Sequence, residues 1–173
     1  MCSLFFKKDI TISNYPIRMP SFSPVRIPTK GLPWWQKIKQ EFSRRMWVID
    51  HDYFLYIPWL NETIFIPKGF VFDGASVPRV FWPILDPVGI LLIGSIFHDF
   101  SYVYGYLLNC AGDKVFVNKP QSFYDQLLRD ITVYVNDTYL LNDIAYIVLR
   151  LFGRFAWNRS RKIPSNAIED LLV

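Results

Sequence analysis

From residue 88 to residue 97 the chain carries no charge, and it then sets down His98 and Asp99 in succession. A run of this length is about half of what a bilayer span needs, so it predicts a buried helix rather than a transmembrane one. A helix that is apolar around most of its circumference belongs in the middle of a domain. Burying a histidine or an aspartate there without partners costs several kcal/mol or shifts its pKa. The fold must therefore bring polar groups to this point. We expect the helix over residues 87–108. His98 and Tyr102 are four apart and share a face, with Asp99 turned by about 100°.

Upstream, residues 46–57 carry β-branched and aromatic residues in alternation and read as a strand. Pro58-Trp59-Leu60-Asn61 makes a turn, and residues 62–72 form the returning strand of an antiparallel hairpin. His51 and Asp52 are neighbours on the first strand, so they point to opposite faces, and His51 is assigned a structural role. The second strand ends in Asp73-Gly74-Ala75-Ser76-Val77-Pro78-Arg79. In this turn Asp73 is placed to accept bonds from the following amides, and Gly74 relieves steric restriction. Ser76 is placed to cap a short helix that Val77 and Pro78 begin.

Downstream, residues 109–119 are expected as a loop and 120–135 as a helix. Its apolar stripe is Phe123, Leu127, Leu128 and Ile131, with Asp125 and Arg129 on another face. A further helix is expected over 139–158, with Arg150 and Arg154 on its outer, solvated face. At the start of the chain, Pro16, Pro20, Pro24, Pro28 and Pro33 exclude helix. The apolar residues between them suggest an extended arm lying on its own domain or on a neighbouring subunit. A short basic helix follows from Trp34. The fold class is therefore α+β: a Pro-rich arm over 1–33, then one domain over 34–163, then a peripheral tail over 164–173. The domain consists of a short helix, a β-hairpin and a three-helix bundle packed on it.

Composition narrows the function classes. A net charge of +4 and a pI near 9.1 are mildly basic, without the concentrated stripe that nucleic-acid binding uses, so no specific nucleic acid is expected. Cys2 and Cys110 cannot make a disulfide framework or a zinc site, and a reduced, metal-free state is expected for them. The N-terminus shows no signal peptide, and no transmembrane helix is expected. The GxSxG, P-loop and HExxH motifs are all missing from the sequence.

The economical partner set for the buried dyad is a cluster of His98, Asp99 and Tyr102 with Asp73 from the turn and Asp125 from the next helix. A carboxylate on one imidazole nitrogen orients the other as a general base near neutral pH. The second carboxylate is then available to hold a divalent cation or to pair with Arg79. The alternative is a hydrogen-bonded cluster that pins the hairpin to the helices. Both readings stand at this level.

Pro67-Lys68-Gly69-Phe70, then Phe72-Asp73-Gly74-Ala75-Ser76-Val77-Pro78-Arg79, then His98-Asp99 with Tyr102, resemble the DUF1353 family. These are small proteins of unsettled function found in tailed bacteriophages and prophages, and the likeness covers about residues 46–157. The resemblance implies a phage protein, expected as a virion or tail-associated structural or assembly component, in the virion or in the host cytoplasm during assembly. Its expected partners are other virion proteins or a second copy, reached through the arm.

The HDxxY helix followed by an aspartate-bearing helix is also similar to phospholipases A2. That likeness implies a small cell-envelope hydrolase used in entry or lysis. It implies His98 as general base, Tyr102 as a buttress and Asp125 as the orienting carboxylate. It also implies Ca2+ as cofactor, on Asp99 and, with DGAS standing in for the usual Gly-rich loop, Asp73. A membrane or envelope surface would then be a partner.

Overall fold

The computed structural model describes residues 17–27, 29–41, 46–73 and 91–160. Gly74, Ser76, Pro78 and Arg79, the beginning of the arm and the tail lie outside the described residues. Among the described residues the fold is mixed α+β, with two antiparallel sheets and four helices.

The hairpin is present, but it is divided between the two sheets. β2 (Trp47–Ile49) pairs with β5 (Val71–Phe72), and β3 (Tyr53–Ile57) pairs with β4 (Glu62–Ile66). Trp47 faces Phe72 and Tyr53 faces Ile66, so both halves keep one register, six residues apart on each strand. Each expected strand is nevertheless broken in the middle, and the physical cause is local. Pro67 has no amide to donate to a ladder. Gly69 takes a left-handed φ of 85°, which glycine adopts without steric cost. The Lys68 amide leaves the ladder and donates to Asp52 Oδ1 at 2.7 Å. His51 is exposed at this break.

β1 (Phe22–Pro24), from the Pro-rich segment, completes the first sheet by pairing with β2. Ser21 and Ser23 hydroxyls donate to Asp50 at 3.1 and 3.0 Å and fix that edge. The first helix, α1 (Trp34–Glu41), lies between β1 and β2 in the chain.

The central helix is α2 (Leu92–Tyr104), shorter than expected because Gly105 ends it at φ 78°. The Gly105 amide closes on the Ser101 carbonyl at 2.8 Å, a left-handed helix stop. The chain then forms β6 (Leu107–Asn109), which pairs with β4, and β7 (Lys114–Val115), which pairs with β6. A helix end and a loop had been expected there. α3 (Gln121–Asn136) and α4 (Tyr139–Ser160) follow, within two residues of their expected bounds. Cys110 is disulfide-bonded, which corrects the reduced state expected of it.

Two faces of α2 do different work. Ile93, Ile96, Phe97 and Phe100 join the core formed with the strands. Phe97 meets Tyr53, and Phe100 meets Phe70 edge-on at 5.1 Å. Each such buried side chain contributes about 1.5–3 kcal/mol. The other face, Gly94, His98 and Tyr102 at four-residue spacing, lies along α3. A Cβ on Gly94 would sit 2.3 Å from Thr132 Oγ1 and 2.7 Å from the Leu128 carbonyl oxygen. The missing side chain lets the two helices approach this closely, one turn from His98.

Candidate active site

α2 and α3 run antiparallel, so residues ascending α2 meet residues descending α3. Gly94 meets Leu128 and Thr132, His98 meets Asp125, and Tyr102 meets Asp125 and Gln121. His98 Nε2 lies 2.9 Å from Asp125 Oδ1. The Tyr102 hydroxyl donates to the same oxygen at 2.5 Å and accepts from Gln121 Nε2 at 3.0 Å. The Tyr102 and His98 rings lie against each other, with centroids 3.9 Å apart.

Arg150 Nη1 donates to the other carboxylate oxygen of Asp125 at 3.1 Å. Arg150 stays on the exposed side of α4, as expected, yet its guanidinium reaches inward to Asp125. Arg129 does not serve Asp125, and instead donates to Asp143 at 2.5 Å and Asp130 at 3.1 Å. α4 reaches the cluster because Gly153 presents no side chain. A Cβ there would meet Gln121 Nε2 at 3.0 Å and the Tyr102 hydroxyl at 3.2 Å. Trp157 packs edge-on to Tyr102 at 4.9 Å. Gln121, Arg150, Gly153 and Trp157 were not placed in the site from sequence. The one signal at hand was the small residue at 153, which marks a close approach.

The electrostatics follow from these contacts. Burial alone would raise the Asp125 pKa, but the bonds from His98, Tyr102 and Arg150 hold it below the ordinary carboxylate value. Burial alone would lower that of His98, but Asp125 and Asp99 together raise it. Burial, with the Asp125 charge added, pushes the Tyr102 phenol up, so Tyr102 stays protonated and acts as a donor. Because Asp125 is ionised and accepts from Nε2–H, Nδ1 is the basic nitrogen of the neutral ring.

Nδ1 points toward Asp99 Oδ1 at 3.6 Å, beyond hydrogen-bond length. Asp99 Oδ2 is buried and has no hydrogen-bond partner. Burial, with the Asp73 charge added, raises the Asp99 pKa to about 7 in spite of His98. Burial and the neighbouring Asp73 charge therefore favour the protonated form of Asp99.

A cleft of about 500 Å³ opens beside this pair. Its walls are Val71, Phe72 and Asp73 at the end of β5, Asp99, Tyr102 and Val103 from α2, and Phe155, Ala156 and Arg159 from α4. Asp99 and Tyr102 therefore meet the cleft. The His98 side chain is only 2% exposed and lies behind Asp99. The arrangement can move a proton between a cleft-facing carboxyl and a buried imidazole, with Asp125 stabilising the imidazolium.

Calcium takes six to eight oxygens. Asp73 and Asp99 are the two carboxylates at the cleft, and among the described residues no group of three His, Cys, Asp or Glu is arranged to hold a metal. The described residues therefore do not by themselves make a calcium site, and the chemistry below uses none. Among the described residues no helix is long and apolar enough to cross a membrane.

No curated protein and no solved structure matches the chain. The family model DUF1353, described as a protein of unknown function, matches residues 47–136. The matched stretch holds Asp73, His98, Asp99, Tyr102 and Asp125 and ends with α3, short of the 46–157 expected, so Arg150 and Gly153 fall beyond it. With more than half its length inside that model, the chain belongs to the DUF1353 family.

Proposed function

We propose that the chain is a bacteriophage virion or tail-associated component whose cleft is an acid–base site of hydrolase type. One observation carries the second half: a buried carboxyl lines the cleft beside Asp73, backed by an ordered His98–Asp125 pair. In this reading Asp99 meets the substrate. It takes a proton from an attacking water and returns it to the leaving group, and a pKa near 7 suits both steps. His98 acts through Asp99 rather than on the substrate, and Asp125, Tyr102 and Arg150 position it. The Pro-rich arm over a three-helix bundle belongs to the same proposal, as the part that engages virion proteins or a second copy.

The test is turnover of an ester, amide and glycoside panel by the wild-type chain and by Asp99→Asn. The wild type is expected to turn over at least one class, with a loss of about a hundredfold or more in the variant. No turnover by the folded wild type on any class sinks the hydrolase reading. The polar-cluster reading would then take its place, since His98 is nearly sealed and Asp125 is fully partnered. Absence of the chain from purified mature particles would remove the virion half.

A further inference from the structure

α4 has two apolar faces. Ala145, Val148, Leu149 and Gly153 are buried against the rest of the fold. Leu140, Ile147, Leu151 and Phe155 point the other way and are 73%, 54%, 69% and 79% exposed. Their spacing of seven, four and four residues draws one line along the helix, about opposite the buried side. A helix packed on a core and otherwise solvated carries polar residues there.

Toward the C-terminal end of α4 the charges beside this line are of one sign. Arg154 and Arg159 are exposed, and no acidic residue occurs between Asp143 and Ser160. Asp143 itself is paired with Arg129. A second copy laid parallel on the stripe would bring its own arginines against these, a like-charge arrangement that disfavours pairing. An anionic surface complements them. α1 repeats the chemistry, with Trp34, Trp35 and Ile38 exposed beside Lys37 and Lys39. Neither helix is long and apolar enough to cross a bilayer. Apolar stripes edged by basic residues lie in the plane of a lipid interface.

We infer that α4 docks the chain on an anionic lipid surface through Leu140, Ile147, Leu151 and Phe155. Phe155 and Arg159 also form a wall of the cleft, so the stripe runs into its mouth. Docking therefore sets the cleft opening at the interface. That the substrate is met at the lipid surface rests on the hydrolase reading, whereas the docking itself does not.

Co-sedimentation of the full chain with phosphatidylglycerol-rich and with phosphatidylcholine vesicles tests this. Binding to the first, weaker binding to the second and release at high salt are expected. Ile147→Asp with Leu151→Asp should weaken binding by about tenfold or more, and Arg154→Glu by several-fold. These side chains are exposed and lie outside the cleft, so turnover of a soluble substrate should persist in the double variant. That result separates loss of docking from loss of chemistry. No binding to phosphatidylglycerol-rich vesicles overturns the inference, as does binding unchanged in both variants. A dimer in solution that Leu151→Asp dissociates, without vesicle binding, would assign the stripe to a second copy instead.

Discussion

Asp125→Ala is expected to cost about 3–5 kcal/mol of folding stability, the usual effect of removing one partner from a buried ionic cluster. The Asp125 carboxylate is fully buried and receives His98, Tyr102 and Arg150. Its loss leaves the buried His98 ring, the Tyr102 hydroxyl and the Arg150 guanidinium without their shared acceptor. The pH dependence is fixed by the directions of the two shifts. Asp125 has a lowered folded pKa, so its contribution is present above the ordinary value of 3.8 and is lost as pH falls through the lower folded value. His98 has a raised folded pKa, so its contribution is full below 6.5 and is lost as pH rises through the higher folded value. The gap between wild type and variant should therefore be widest from about pH 4 to pH 6.5. Urea denaturation across pH reads this directly. A flat difference under about 1 kcal/mol would mean that the cluster does not hold the helices together.

Asp99→Asn should act in the opposite direction. The folded pKa of Asp99 is raised from 3.8 to about 7. Its neutral form is thus compatible with burial below pH 4, and stability is lost as pH rises through about 7. Asparagine keeps the shape and cannot ionise. The variant should match or fall slightly below wild type in acid, then exceed it above neutrality by on the order of 2–4 kcal/mol. A residue that destabilises the working fold is expected at a site kept for chemistry rather than for packing. Thermal melts at acidic and alkaline pH check this. A variant less stable than wild type at both ends would place Asp99 among the structural contacts.

These two residues show how far the sequence reaches. His98, Tyr102 and Asp125 were legible because a polar dyad in an apolar helix demands partners, and four-residue spacing says which side chains share a face. The hairpin followed from two strand-like runs with a turn between them. Its break at Pro67 and Gly69 was written in the same residues, but a continuous ladder outweighed them. Gly105 was likewise a helix stop in plain view, and missing it hid β6. Arg150 was different in kind. On α4 it neighbours the solvated face in projection, and only the close approach allowed by Gly153 turns it toward Asp125. Such contacts depend on how two helices cross, and one helix's pattern does not contain that. The same holds for Asp99, whose neighbour in sequence is His98 but which also lines the cleft.

The central claim is that the cleft presents a carboxyl that exchanges its proton near neutral pH. Carbon NMR of the side-chain carboxyls, titrated in the wild-type chain with Asp99→Asn for assignment, measures it without a substrate. The account predicts a midpoint near 7 for Asp99. A midpoint at or below the ordinary 3.8 would mean an ionised, well-solvated aspartate, and would contradict the acid–base site.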